Sequence, residues 1–445
     1  MTTPQILASA IFLIMFIAIM AEKWHRYVSA LIGAVLMIVL VLRTEEAILW
    51  VLNLGEIFEP AFWMLKGIKE KASHGINWQT IVFIAGMMIM IEGLARVGFF
   101  RWLCFYIAKL VNYKIIPIFI SFMILSGFLS MFIDSITVML FLSSVTIELA
   151  RLLKFNPIPI IISEIFASNV GGSATMSGDP PNIIIGTSFG FTFFDFLKNT
   201  GIIAWIGMFI TVVFFYFVFR NHLNIDRNER IKKYPEPKKA VKHKNLFVVS
   251  TIIFILTIVL IVTHSLTGLS LAFIGCIAAF LSLVVSYKSH LKLIKPMDWK
   301  TLLFFIGLFI CVGGLERVGI LEILANWIGK IGQGNAFLVV SIIMWASAFA
   351  SAILDNIPFA ATMVPVIFNL SETGISLKTL SWSLALGTDI GGNATPIGAS
   401  ANVVGIAIAE KKGYKVGWAR YCKYAIPAMI IVMIFCNIYL YIRYF

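Results

Sequence analysis

Two stretches of the 445-residue sequence place hydroxyl, amide and carboxylate side chains inside otherwise apolar runs. The first, GGSATMSGDPPN at 171–182, follows Asn169 and offers Ser173, Thr175, Ser177, Asp179 and Asn182. The second, GGNATPIGASAN at 391–402, follows Asp389 and offers Asn393, Thr395, Ser400 and Asn402. Such oxygens, joined by free backbone carbonyls, can replace the water shell of a small hard cation. The carbonyls are free because neither stretch can be continuous helix. Gly171, Gly172, Gly391 and Gly392 are poor helix formers; Pro180, Pro181 and Pro396 lack the amide donor and push the preceding residue toward extended geometry. A helix that resumes after a break opens with unpaired N–H groups and partial positive charge, which can hold an anion without a formal cation. Close helix packing would explain one isolated small-residue motif. Two of them, flanked by acids, point to ion binding.

Two more acids interrupt apolar runs: Asp134 in Asp-Ser-Ile-Thr (134–137) and Asp355 in Asp-Asn-Ile-Pro (355–358). An Asp at the centre of a membrane helix costs about 2.5–3.5 kcal/mol, so it tends to face a cavity and a partner. Asp also caps helix N-termini. We read both as caps that also offer a ligand oxygen, with Ser135, Thr137 and Asn356 beside them. Glu92 stands four residues before Arg96, the spacing of an intrahelical pair. Arg96 and Arg317 read as anchors at span ends. Glu164 reads as a proton or cation ligand or, equally, as a helix-pairing acid. No Lys or Arg lies in the breaks or at the tips, which leans the solute toward weak or single charge.

The elements that must position these groups are membrane spans. Hydrophobic residues make up 60% of the chain and charged residues 13%, about half the charged share of a soluble domain. That excludes soluble enzymes, fibres and disordered chains. Long apolar runs fall at about 5–21, 27–42, 79–95, 201–219, 246–263, 268–286, 301–315 and 421–442. Four interrupted regions join them: hairpins at 116–150 and 335–370, and broken helices at 157–195 and 379–408. The first run has no basic segment before it and is read as a retained span. The stretch 220–245 holds nine Lys/Arg against three Asp/Glu and reads as a solvated cytoplasmic linker between repeats at 1–219 and 246–445.

The halves share a register. At an offset of 221, residues 77–98 match 298–319 at ten of 22 positions, including Trp78/Trp299, Arg96/Arg317 and Gly98/Gly319, and Asp134 falls on Asp355. At an offset of 220, Gly171, Gly172, Thr175 and Asn182 fall on Gly391, Gly392, Thr395 and Asn402. If each hairpin enters and leaves on one side, each half crosses five times, and the odd number inverts the second half. Putting both termini outside leaves 26 of the 35 Lys/Arg on the inner side, the bias expected of cytoplasmic loops. The expected fold is therefore an all-α polytopic membrane protein. It has two inverted-topology repeats of five spans, each with a re-entrant helical hairpin and a broken helix. Paired broken helices mark a transporter binding site.

Net charge of +13 is accounted for by inner loops and calls for no nucleic-acid partner. The five cysteines form no C-x-x-C pair, so neither a disulfide framework nor a metal site is expected. There is no G-x-x-x-x-G-K-S/T, H-E-x-x-H or G-x-S-x-G, which speaks against an ATP-driven pump or a hydrolytic enzyme.

GDPPN at 178–182, GGNATPIGASAN at 391–402 and the two hairpin acids resemble the ion transporter superfamily. That group includes the citrate-transporter-like domain, arsenite permeases, NhaD-type sodium/proton antiporters, the P-protein and the divalent anion/sodium symporters. The GDPPN form is most similar to the P-protein and arsenite-permease branch. The resemblance covers nearly the whole chain and implies a scaffold and a mobile transport subdomain, elevator-type alternating access and a homodimer. By motif match it assigns ion sites to Asp134, Ser135 and Thr137 with 171–182, and to Asp355 and Asn356 with 391–402. The dicarboxylate symporters carry Ser-Asn-Thr at both tips, unlike the tips here.

The expectation is a secondary active transporter of an anion or arsenite-like solute, coupled to Na⁺ or H⁺, in the cell (inner or plasma) membrane. No other cofactor is expected. By analogy with some arsenite permeases, an ATPase could act in trans. A sodium/proton antiporter on the same fold is the alternative; a passive channel is weaker, since a channel needs no paired broken loops.

Overall fold

A computed structural model describes residues 1–21, 23–65, 74–223, 234–286, 290–332 and 334–445. Among these the regular structure is helical, apart from one isolated bridge between Met64 and Leu269. The first repeat opens with α1 (Thr3–Met20) and α2 (Arg26–Met37), which runs on through a π-turn, Ile38–Leu42. Two short helices, α3 (Glu45–Leu52) and α4 (Pro60–Trp63), precede α5 (Trp78–Arg96) and α6 (Phe99–Leu110). The hairpin is α7 (Ile115–Ser130) and α8 (Ser135–Leu153); the broken helix is α9 (Ile158–Gly172) and α10 (Pro180–Phe189). A turn, α11 (Phe193–Phe196), leads to α12 (Ile202–Leu223).

The second repeat follows the same plan. It starts with α13 (Lys244–Thr267), α14 (Leu271–Val285) and a short α15 (His290–Ile294), then α16 (Trp299–Arg317) and α17 (Ile320–Ile331). Its hairpin is α18 (Ala336–Ile353) and α19 (Asn356–Ser371). The broken helix is α20 (Leu377–Gly391) and α21 (Ser400–Lys411), and α22 (Trp418–Tyr444) closes the chain. Eight of these helices are each long and apolar enough to cross a bilayer. Their outward faces are apolar, as at Phe209, Phe217, Ile252, Ile255 and Ile442, where lipid replaces protein as the partner.

Local signals set the boundaries. Asn77 and Asp298, repeat equivalents, cap α5 and α16 by accepting the amides of Thr80 and Thr301. Gly98 (φ 89°) and Gly319 (φ 77°) turn the chain from α5 into α6 and from α16 into α17, a left-handed conformation that a side chain would strain.

The repeats interlock. Helix α14 lies along α5 and α2 lies along α16, so each repeat supplies the other's neighbour. A Cβ on Gly86 would sit 2.2 Å from the Gly275 carbonyl oxygen, and one on Gly307 would sit 2.7 Å from the Ala30 carbonyl carbon. Backbones this close gain dispersion contacts, the main attraction left between helices in lipid. The broken helices pack on the hairpins in the same way, α9 on α7 and α20 on α18. The hairpin tips, 131–134 and 354–355, lie against the breaks: Ser177 Oγ donates to the Met131 carbonyl and Thr395 Oγ1 to the Ala352 carbonyl. A tip held at the break of a crossing helix ends partway through the layer. The chain is thus an all-helical membrane protein of two inverted repeats, each with a re-entrant hairpin and a broken helix.

The linker is solvated and also anchored. Of 220–245, residues 220–223 continue α12 and 224–233 lie outside the described residues. The rest keeps its charged side chains in solvent, as at Glu236, Lys238, Lys239 and Lys242, and is anchored at a few points. Tyr113 Oη donates to the Pro235 carbonyl, the Tyr113 and Tyr234 rings stack at 4.5 Å, and Ala240 is buried. Pro235, Pro237 and Ala240 give a nominally basic stretch enough apolar surface to pack beside α6.

Candidate functional site

Asp179 opens α10 and is 2% exposed. Its Oδ1 accepts a hydrogen bond from Ser135 Oγ, and its Oδ2 accepts one from Asn356 Nδ2 at 2.7 Å. Ser135 and Asn356 are repeat equivalents, one on each hairpin tip. A single carboxylate from the first break therefore fastens both tips. The second repeat has Ala399 at the matching position, so this fastening is asymmetric.

Behind it lies a fully buried set of amides. Asn182 Nδ2 donates to the carbonyls of Gly172 (3.1 Å) and Thr175 (3.2 Å). Its repeat partner Asn402 donates to those of Gly392 and Thr395, both at 2.8 Å. Each Asn thus collects two carbonyls released by its own break. Asn182 Nδ2 also reaches Asp389 Oδ2 at 2.8 Å, and Asn169 Nδ2 reaches Asn402 Oδ1 at 2.8 Å and Asn393 Oδ1 at 2.9 Å. Asn169 and Asp389 are themselves repeat equivalents. The two breaks therefore meet through one pseudo-symmetric contact made twice, with an amide on one side and an acid on the other. Oδ1 of Asn169, Asn182 and Asp389 has no hydrogen-bond partner, nor does Nδ2 of Asn393, and all are buried. Buried polar atoms are normally paired; this cluster keeps three oxygens and one amide unpaired.

The second tip holds what the sequence did not foretell. Asp355 caps α19 through the Ile357 amide (3.2 Å), and its Oδ2 accepts from Ser400 Oγ at 2.6 Å and from Arg26 Nη1 at 2.7 Å. Arg26, at the start of α2, also reaches Ser400 Oγ (2.6 Å) and Thr301 Oγ1 (3.2 Å) and lies 5.2 Å over the Phe304 ring. A basic side chain thus does stand at a tip, although none is found there in the sequence: it arrives from 329 residues away. Arg26, Asp355 and Ser400 border a cavity of about 380 Å³ walled by Phe16, Ile19, Trp24 and Leu354. The equivalent acid at the first tip, Asp134, accepts the Thr137 amide (2.9 Å) and Oγ1 (2.7 Å).

Other candidates donate their hydroxyl hydrogens to backbone carbonyls. Thr175 and Ser177 both donate to the Met131 carbonyl, Thr395 donates to that of Ala352, and Ser173 donates to that of Val170. Thr175, Ser177 and Thr395 bind break to hairpin, Ser173 closes the end of its own helix, and all four keep an oxygen lone pair. Gly171 and Gly391 admit neighbouring backbone: a Cβ would lie 2.2 Å from the Gly127 carbonyl oxygen or from Ala348 Cα. Gly172 and Gly392 face the Gly178 and Gly398 carbonyls across their own breaks. Glu92 is paired with Arg96 at 2.6 Å. Asn77 and Thr80 on α5 reach Thr187 on α10 at 2.8 and 2.9 Å, a link unmarked by any motif.

Residues 16–387 match the family described as citrate transporter. The 46 kDa membrane protein of Mycobacterium leprae is 30% identical over 451 residues, covering 99% of both chains. The human P protein is 25% identical, covering 85% of this chain and 55% of its own. Among solved structures, the YdaH transporter of Alcanivorax borkumensis superposes with a TM-score of 0.58 over 99% of this chain and 98% of its own, at 12% identity.

Proposed function

The chain belongs to the citrate transporter family, and on that premise we propose that this membrane transporter is secondary active, moving a small anion or arsenite-like solute coupled to Na⁺ or H⁺. One observation carries the reading: the two breaks meet at a buried cluster in which Oδ1 of Asn169, Asn182 and Asp389 stays unpaired. Unpaired buried oxygens are costly unless something occupies them part of the time. Carboxylate and amide oxygens suit a hard cation. Arg26 at the second tip, beside the start of α21, supplies positive potential for an anion. A single guanidinium already engaged by Asp355 favours low solute charge.

Elevator-type movement fits the packing. Helices α1, α2, α5, α13, α14 and α16 pack mainly on one another, as do the hairpins with the broken helices, α12 and α22. Polar ties such as Arg26 to Asp355 and Asn77 to Thr187 cross between the groups and can be exchanged without disturbing either core. The charge bias of the loops supports a cytoplasmic linker with both termini outside, in the cell membrane.

The test is uptake into proteoliposomes under an imposed Na⁺ or pH gradient, with citrate, arsenite, phosphate and small monocarboxylates as solutes. Saturable accumulation against a solute gradient, abolished by collapsing the ion gradient, is expected. Flux that neither saturates nor accumulates would mark a channel instead.

A second reading, sodium/proton antiport, has its own support: no basic side chain hydrogen-bonds within the central cluster among the described residues. Proton flux driven by Na⁺ with no anion added would favour it.

A further inference from the structure

We propose that Glu164 is a proton-binding site, separate from the central cluster and seated between the first hairpin and its broken helix. Glu164 lies on α9, eight residues or about 12 Å of helix before Gly172. It is 0% exposed. Oε1 accepts a hydrogen bond from Thr146 Oγ1 on α8 at 2.6 Å, and Oε2 has no partner. Ser143 Oγ, three residues before Thr146 and therefore on the same side of α8, is also buried without a partner. The remaining nearby hydroxyl, that of Ser126 on α7, is engaged by the Glu164 carbonyl at 2.8 Å.

Among the described residues no cation pairs with this carboxyl. Cys104 on α6, which packs against α8, is fully buried and brings no positive charge. On α8, Glu148 is paired with Arg101, and Arg151 reaches the Lys412 carbonyl. Helix α7 carries no charged residue. The charges of α12, α21 and α22 stand at helix ends (Arg220, His222, Glu410, Lys411, Arg420, Lys423, Arg443). Those of α20 are Lys378 at its start and Asp389 in the central cluster. An ionised carboxylate without counter-charge and with one donor is costly to bury, and the neutral acid costs far less. Ionisation therefore requires water or a cation to enter between α8 and α9, which ties the proton to the arrangement of the hairpin.

The repeat supplies an internal control. Cys104, Ser143, Thr146 and Glu164 fall on Ala325, Val364, Ile367 and Leu384, all buried apolar residues. At these four positions the second repeat builds the same junction without a polar side chain, so packing alone does not call for an acid here. The polar group belongs to the first repeat and to something other than the frame.

The site is tested on the purified full chain by infrared difference spectroscopy across a pH series, comparing wild type with Glu164→Gln and Glu164→Leu. Glu164→Leu restores the residue the second repeat uses and guards against a folding artefact; both variants should melt near the wild type. The expected result is a protonated-carboxyl band in the wild type that is lost in both variants and disappears as pH rises. It is accompanied by loss of the pH dependence of uptake in both. Absence of that band, or a band that does not respond to pH with uptake profiles unchanged, would reduce Glu164 to a helix-pairing acid. The spectroscopic arm needs no transport, so it separates this inference from the transport reading on which its second arm rests.

Discussion

Asp179, at the first break, accepts a 2.7 Å hydrogen bond from Asn356, at the tip of the second hairpin. Ser135 of the first tip donates to the other oxygen of the same carboxylate. Removing Asp179 leaves a buried amide and a buried hydroxyl without acceptors, each costing about 1–3 kcal/mol. Asp179→Ala is therefore expected to lower stability by about 2–6 kcal/mol and to abolish ion-driven uptake. Thermal melting and proteoliposome uptake check the two halves of that statement. Asp179→Asn, which keeps one acceptor, should lose less stability.

Asp389 occupies in the second repeat the place Asn169 occupies in the first. Asp389→Asn gives the two equivalent positions the same side chain and removes the acid while keeping the shape. The fold should persist, and the half-saturating concentration of the coupling cation should rise at least tenfold, about 1.4 kcal/mol. Titrating Na⁺ against uptake and against melting temperature measures it; an unchanged titration would remove Asp389 from the cation's path.

The framework was readable because its signals are local. Gly171, Gly172, Pro180 and Pro181 stop and restart a helix by backbone chemistry alone, and Trp78/Trp299 with Gly98/Gly319 fix the repeat register wherever the fold places it. Asp134 and Asp355 sit at helix starts as capping predicts. What stayed hidden depends on distant partners. Arg26 looks like any basic residue at a span end, and nothing in its neighbourhood announces Asp355, 329 residues on. The sequence shows the hydroxyls of Thr175 and Ser177 but not the Met131 carbonyl to which both donate. The charge of 220–245 told that its Lys side chains face solvent, but a charge count says nothing about the anchoring of Pro237 and Ala240.

Gly171 tests the packing of break on hairpin. A methyl group there would meet the Gly127 carbonyl oxygen at 2.2 Å, with backbone on both sides and no flexible side chain to yield. Gly171→Ala is expected to cost about 1–3 kcal/mol through overpacking and to displace the carbonyls at the break. Gly55→Ala, where nothing lies within 4 Å, is the control and should melt like the wild type. Equal melting of the two variants would contradict the close approach.

The pair of Arg26 and Asp355 joins α2 to the second tip across a half-open cavity, with side-chain exposures of 30% and 11%. An exposed ion pair is worth about 0.2–1 kcal/mol. This one is partly covered, shares Ser400, and stacks on Phe304, so a double-mutant cycle of Arg26→Gln and Asp355→Asn should give a coupling of about 1–2 kcal/mol in melting. Its consequence for transport differs from that of the central cluster. If the solute is an anion that shares Arg26 with Asp355, Arg26→Gln raises the KM for the anion severalfold and leaves the cation dependence in place. Asp355→Asn, which frees the guanidinium, lowers that KM. Opposite movements of KM in the two variants would mark a competition between solute and tip for one cation. Parallel losses of maximal rate with KM unchanged would instead make the pair a latch on the moving hairpin.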